Sequence, residues 1–276
     1  MGSEVSVTSS IFEANRARGV VRFDVLVRDG ATRRGTLHES GSLRVRFPSP
    51  EGEGLSGVFV NTAGGVAGGD RFDVEVAGGE ASRLTLTTAA AEKIYRTPGP
   101  SAQLNISLKA AAGAHLSWLP QETILFDGAR AFRRIDIELD EAASLLLCEI
   151  LVLGRAAMGE RMERGEFVDR WRLRWGGRLV LAETIRLNGD VAAKLVRPAF
   201  AKGGAAIGTA LIVPGDEALV ARIREVAGPF AGEVGVSAWN GFAVARFCAQ
   251  DAAALRADMM AVLECTGAAL PRLWLN

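Results

Sequence analysis

Apolar and polar residues alternate along most of the chain. Val21, Phe23, Val25 and Val27 occupy every second position, as do Phe72, Val74 and Val76, then Leu104, Ile106 and Leu108, then Ile135, Ile137 and Leu139. Alternation over short runs bounded by Gly, Pro and charged residues predicts half-buried strands, because successive side chains on a strand point to opposite faces. Leu145 to Leu153 breaks the rule: it is apolar at both parities, with Glu149 as its interruption. A strand of that kind is predicted to be buried on both faces. Helical spacing appears only near the C-terminus. Asp216 is placed to cap a helix with Leu219, Val220, Ile223 and Val226 on one face, stopped by Gly228-Pro229. Asp251 is placed to cap a second, with Leu255, Met259, Val262 and Leu263 inward and Gly267 after it. Strands are predicted around residues 205–213 and 233–247, and the helices are predicted to cover a sheet face.

A weak repeat overlies this pattern. Turns of small residues lead into strands at Gly79-Glu80-Ala81-Ser82-Arg83-Leu84, Gly113-Ala114-His115-Leu116, Glu141-Ala142-Ala143-Ser144-Leu145 and Gly176-Gly177-Arg178-Leu179. The leucines are separated by 32, 29 and 34 residues. One unit of this size holds two strands and their connections, and units that cannot bury their apolar faces alone stack on their neighbours. A meandering sandwich also spaces its turns regularly. The predicted fold is mostly β: an extended, stacked or solenoid-like sheet scaffold with two C-terminal helices on a sheet face. It is read as a single domain over residues 1–276, with 1–19 as a flexible N-terminal segment.

Composition narrows the function. Cationic and acidic side chains balance at 32 each, so no overall field favours nucleic acid or an anionic membrane. Residues 1–20 have no apolar core or cleavage signature and are not read as a signal peptide. The run from Leu145 to Leu153 is far too short to span a bilayer. Cys148, Cys248 and Cys265 are scattered and odd in number, which suits a reducing cytoplasm and gives no disulfide framework. A cytoplasmic protein is expected.

Catalytic patterns fail. His38 and His115 are the only histidines, and no H-E-x-x-H, paired C-x-x-C or G-x-S-x-G is present. Carboxylates are more informative. Glu149 needs an Arg, a polar channel or water if it is ionised in so apolar a strand. Arg155, just beyond the strand, is one expected partner; the alternative is that Glu149, Glu122, Asp127 and Glu160 line a wet internal passage. Glu122 and Asp127 lie in Trp118-Leu119-Pro120-Gln121-Glu122-Thr123-Ile124-Leu125-Phe126-Asp127-Gly128. As an acid/base pair on a β-solenoid, they would suit a carbohydrate-acting enzyme.

Three further segments join that one: Asn61-Thr62-Ala63-Gly64-Gly65-Val66-Ala67-Gly68-Gly69-Asp70, Thr87-Thr88-Ala89-Ala90-Ala91-Glu92-Lys93-Ile94-Tyr95-Arg96, and Leu153-Gly154-Arg155-Ala156-Ala157-Met158-Gly159-Glu160. In this order, with Leu270-Pro271-Arg272-Leu273-Trp274 at the end, they resemble the urease accessory protein UreD family, called UreH in some organisms. The resemblance runs from about Ser40 to the end; Ala89 stands where the family often has Gln. It implies a non-enzymatic scaffold in urease maturation that pairs with UreF, reaches the GTPase UreG through it, and docks on apo-urease for nickel insertion. No cofactor is implied as tightly bound; nickel(II) would pass transiently. The family's motifs carry Asn61, Asp70, Gln121, Glu122, Asp127, Arg155 and Glu160 as candidates. Asp70, Glu122, Asp127 and Glu160 are read as conduit acids, and Asn61, Gln121 and Arg155 as partner or structural residues. Glu149 joins the conduit set on burial alone.

Overall fold

The computed structural model of the protein describes residues 15–49, 52–226 and 230–275. Seventeen strands, numbered in chain order, form two sheets among them. The first holds β1 (Arg18–Arg28), β2 (Ala31–Gly41), β5 (Arg71–Gly78), β8 (Ala102–Ala110), β11 (Arg130–Leu139), β13 (Arg164–Trp175) and β14 (Arg178–Asp190), in the order β14-β13-β11-β8-β5-β1-β2. The second holds β3 (Leu43–Arg46), β4 (Leu55–Asn61), β6 (Arg83–Thr88), β9 (His115–Trp118), β12 (Ser144–Leu153), β15 (Ala206–Val213), β16 (Glu233–Trp239) and β17 (Phe242–Ala249), in the order β16-β17-β15-β12-β9-β6-β4-β3. Two short strands, β7 (Glu92–Ile94) and β10 (Thr123–Leu125), extend it, β10 running parallel to both β12 and β7.

Between β4 and β13 the chain alternates between the sheets, the short β7 and β10 lying on its returns from the second to the first. Neighbours are therefore parallel: β5, β8, β11 and β13 in the first sheet, β4, β6, β9 and β12 in the second. This is the stacked, solenoid-like scaffold predicted. The repeated small-residue turns are its crossings from first sheet to second, at 79–82, 111–114 and 140–143. Each closes on the same backbone bond: Ser82 N to Gly79 O (3.1 Å), Ala114 N to Ala111 O (3.0 Å) and Ala143 N to Asp140 O (3.0 Å). They also bond to one another, Ala81 N donating to Ala112 O at 2.9 Å and Ser144 N to Ala114 O at 2.8 Å. Leu84, Leu116 and Leu145 consequently stand in register and are buried. The fourth copy of the turn behaves differently. Gly176-Gly177 closes an antiparallel hairpin within the first sheet, both glycines at positive φ, and leaves Leu179 exposed. The coil stops there.

β12 explains its own sequence. Leu145, Leu147, Leu151 and Leu153 enter the core between the sheets, while Leu146, Cys148, Ile150 and Val152 enter a second core on the opposite face. That second core lies under α3 (Ala252–Glu264), which rests on β12, β15 and β17; α2 (Glu217–Val226) rests on β16. Each large apolar side chain buried in these cores contributes ~1.5–3 kcal/mol. Both expected caps form: Asp216 Oδ1 accepts from Leu219 N at 2.8 Å and Asp251 Oδ1 from Ala254 N at 2.8 Å.

Three expectations change. A short helix, α1 (Val191–Leu195), precedes β15, where alternation gave no sign of one. Residues 233–247 are two strands, turning at Asn240-Gly241, both at positive φ. Ala17 N is held by Asp70 and Arg18 opens β1, so the N-terminal lead-in does not extend to residue 19. Residues 1–14, the side chain of Val226 and the Gly228-Pro229 stop lie outside the described residues.

Candidate functional site

The crossings back from the second sheet to the first, at 62–70, 89–101, 119–129 and 154–163, are longer than the turns at the other end and hold most of the four motif segments. Neighbouring crossings touch. Val66 N donates to Lys93 O (2.7 Å), Glu92 N to Glu122 O (2.8 Å), Phe126 N to Ile94 O (3.1 Å) and Gly154 N to Leu125 O (2.9 Å). One end of the coil is thus built from segments distant in sequence.

A cavity of about 410 Å³ runs from this end into the space between the sheets. Its walls are largely apolar, including Phe59, Phe72, Val74, Leu104, Ile106 and Trp118. Leu104 and Ile106 face inward as predicted, yet they are only half-buried because the cavity removes their neighbours. The polar lining comprises Asn61, Glu92 and Lys93 near exposed Ala89, Ala90 and Gly64, Arg133 with Glu149 and Thr123 in the interior, and Thr88, Asn105 and the candidate Gln121 besides.

The interior group spans both sheets. Arg133, on β11, donates from Nη1 to Glu149 Oε2 at 2.6 Å and from Nη2 to Asp169 Oδ2, on β13, at 2.7 Å. Trp118 Nε1 donates to the other Glu149 oxygen at 3.1 Å, and Trp171 Nε1 donates to Asp169 at 3.1 Å. All three ionic groups are buried. Burial pushes the Glu149 carboxyl up to about 6, with Asp169 adding to the rise and Arg133 opposing it. Burial alone would lower the Arg133 pKa, but Asp169 and Glu149 hold it above its ordinary value. The expected partner of Glu149 is therefore corrected: it is Arg133, across the sheets, and not Arg155.

At the mouth, Asn61 Nδ2 donates to Gly65 O at 3.0 Å and to Glu92 Oε2 at 3.2 Å. Burial raises the Glu92 carboxyl to about 7, although the Asn61 hydrogen bond favours its ionised form. The glycine pairs now have a reason. Tyr95 donates to Gly64 O at 2.7 Å, and a Cβ on Gly65 would meet the Tyr95 ring at 2.5 Å. Gly68 lies as closely over Thr97. The loop follows a path that only residues without a Cβ allow.

The remaining candidates hold the surrounding segments in place. Asp70 accepts from Ala67 N (2.7 Å) and Ala17 N (2.8 Å) and is buried. Glu122 Oε1 and Gln121 Oε1 both accept from Arg256 Nη1, at 2.8 and 2.9 Å, while Gln121 Nε2 donates to Leu273 O at 3.1 Å. Arg256 also lies over Trp274, whose Nε1 donates to Leu119 O at 2.9 Å, so the closing segment is latched onto the third crossing. Asp127 Oδ1 accepts from Glu163 N (2.9 Å) and Arg164 N (2.8 Å), and Asp127 N donates to Glu160. Glu160 is ion-paired with Arg155, which holds its carboxyl below the usual range; Arg155 in turn lies over Phe126.

Of the five conduit candidates, only Glu149 lines the cavity. Asp70, Glu122, Asp127 and Glu160 do not line it and are tied to structural partners in the crossings. Glu122 and Asp127 are also each taken up separately, which opposes their use as an acid/base pair. Three residues were missed. Glu92 lies inside a motif segment; Arg133 was detectable by extending the Ile135 alternation backward, and Asp169 by reading the alternation of Phe167, Asp169, Trp171 and Leu173 as a strand. Among the described residues, no three His, Cys, Asp or Glu gather closely enough to hold a metal ion, and no helix is long and apolar enough to cross a membrane.

Comparison with known proteins places this architecture. The family model described as UreD urease accessory protein matches residues 17–275. The chain is 82% identical over 276 residues, all of both chains, to urease accessory protein UreD of Bradyrhizobium diazoefficiens. It is 74% identical over 272 residues, 98% of both chains, to urease accessory protein UreD 3 of Bradyrhizobium sp. strain BTAi1. To urease accessory protein UreD of Rhodopseudomonas palustris strain BisB18 it is 73% identical over 269 residues, 97% of both chains.

Proposed function

The chain belongs to the UreD family of urease accessory proteins, and from that premise we propose that it is a non-enzymatic scaffold of urease maturation with an internal route for nickel. It binds UreF, reaches the GTPase UreG through it, and docks on apo-urease in the cytoplasm. The observation that carries the reading is the cavity that opens among three of the motif-bearing crossings, with carboxylates at its mouth and in its interior.

Nickel(II) is cargo in this scheme. Tight nickel sites favour nitrogen or sulfur donors, whereas carboxylate and water hold the ion more loosely. A route must release its ion as readily as it admits it. Glu92 at the mouth and Glu149 within are the groups positioned to meet the ion. Glu149 does so with one oxygen held by Arg133 and the other by Trp118, which keeps it from closing around the metal. Asp70, Glu122, Asp127 and Glu160 shape the route from outside, with Asn61, Gln121 and Arg155 fixing its loops.

Co-expression tests the scaffold. The chain is expected to co-purify with UreF and with apo-urease, and deletion of its gene to lower both urease activity and urease nickel content. Unchanged nickel content in the deletion strain would refute the reading.

A further inference from the structure

We infer that a groove on the outer face of the second sheet, at the end of the coil opposite the cavity, binds a small phosphate-bearing anion. The groove holds about 780 Å³. Its floor is the outward face of β6, β9 and β12, where each strand begins after its short turn. One wall is α2, and another is the segment after α3, residues 266–269. α3 itself packs on β12, β15 and β17, to the side of this floor.

Strand register makes the floor polar and cationic. Arg83 stands opposite His115, and His115 opposite Ser144. Two residues further along, Ser56 stands opposite Thr85 and Thr85 opposite Ser117. Positions two apart on a strand share a face, and neither row contains a carboxylate. Arg222, on α2, brings a second guanidinium to the groove. Among the described residues, Arg83 and Arg222 have no ion pair or side-chain hydrogen bond, and the Thr85 and Ser117 hydroxyls have no hydrogen-bond partner. Glu53 and Glu80 form no ion pair with Arg83, nor Glu225 and Glu264 with Arg222. Asp216 is the acid in the lining, and its Oδ1 is taken up as the cap of α2.

His115 completes the set. Its Nδ1 lies 2.6 Å from Ser144 Oγ. Burial, and after it the neighbouring Arg83, hold its pKa below the ordinary histidine value. At neutral pH the ring is therefore uncharged; Ser144 donates to Nδ1, and Nε2 keeps its proton. Two guanidinium groups, an imidazole N–H and two hydroxyls thus line one groove with no acceptor of their own. A phosphate offers them up to two negative charges and at least three acceptor oxygens, where a carboxylate offers one charge and two oxygens. The groove is larger than that group alone. Trp175 stands at its edge, fixed by Nε1 donating to Glu141 O at 3.2 Å and by Gly241, where a Cβ would meet the ring at 2.7 Å. An indole held in this way offers a face to the apolar body of a phosphate ester.

The test uses the full chain without UreF, urease or nickel, so its outcome is separate from the maturation reading. Inorganic phosphate, phenyl phosphate and benzoate are titrated in turn, with calorimetry for affinity and histidine NMR for place. Saturable binding of a phosphate probe is expected, with benzoate much weaker. The His115 titration should move up by about one pH unit when phosphate is bound, while His38, on β2, stays where it was. Arg83→Gln and Arg222→Gln should each weaken binding roughly tenfold, and Arg28→Gln, on the first sheet, should not. Circular dichroism establishes folding, and either arginine variant carries the test if the other folds poorly. Tighter binding of phenyl phosphate would identify an ester as the ligand, and tighter binding of inorganic phosphate the free ion; both support the site. Absence of saturable binding by either phosphate probe would overturn it. So would equal binding of benzoate, or phosphate binding that both arginine variants leave unchanged.

Discussion

The two ends of the coil join the same pair of sheets in opposite ways. At 79–82, 111–114 and 140–143, three short turns share one backbone hydrogen bond and stack on one another. At 62–70, 89–101, 119–129 and 154–163 the crossings are longer, mutually dissimilar and secured by side chains: Asp70 on two amides, Arg256 on Glu122, Arg155 on Glu160. The simple end minimises what is needed to turn the chain. The elaborate end opens onto a cavity, keeps carboxyls partly buried and requires close backbone approaches. Structure that costs stability without improving the fold is where function is expected.

Breaking the interior ion group should have the largest effect. Arg133→Leu leaves Glu149 and Asp169 buried without their cation and is expected to cost ~3–5 kcal/mol in urea denaturation. Replacing all three by leucine should restore most of that loss, because an apolar core of similar volume needs no pairing. If the triple variant is no more stable than Arg133→Leu, the group is not held together by charge.

Gly65→Ala comes next. The added Cβ meets Tyr95 at positive φ and should destabilise by about 2 kcal/mol, with faster amide exchange confined to the mouth. A third test uses pH. The Glu92 carboxyl rises from 4.5 to about 7 in the folded chain, so the native state holds its proton where the unfolded state has lost it. The stability this group contributes is fully present below about pH 4.5 and fades as pH climbs through 7. Glu92→Gln should therefore melt like wild type at pH 5 and be more stable at pH 8, by about 1–2 kcal/mol. The smallest effect belongs to the other end: Glu80→Ala, exposed in the first turn, should change stability by less than about 0.5 kcal/mol and leave urease activation intact.

Much of this contrast was legible in the sequence, and the remainder failed for identifiable reasons. Alternation located the strands, and three of four turn repeats proved to be equivalent crossings. The fourth shared the small-residue composition but not the topology, since Gly176-Gly177 suits a hairpin equally well. Alternation also contained the missed residues. Carried back from Ile135, it turns Arg133 inward rather than Arg134; carried from Trp171, it turns Asp169 inward. The alternation noted in the sequence starts at Ile135, which hid Arg133, and it includes no run over residues 164–175, which hid Asp169. The partner of Glu149 was beyond local reasoning, because Arg155 is near in sequence while Arg133 is near only once two sheets face each other. The motif acids were recognisable as a set, but not that most of them would tie the crossings together while Glu92, unremarked among alanines, stood at the opening.

The central claim is that the elaborate end is a passage, and a bulky side chain at its mouth tests it most directly. Ala90→Trp, at the exposed rim of the cavity, is to be compared with Ala112→Trp, exposed in the turn at the opposite end. The readout is nickel bound per urease active site after co-expression, with assembly of the complex checked in parallel. The account predicts intact complexes in both strains and a severalfold loss of nickel with Ala90→Trp alone. Equal nickel in the two would contradict it.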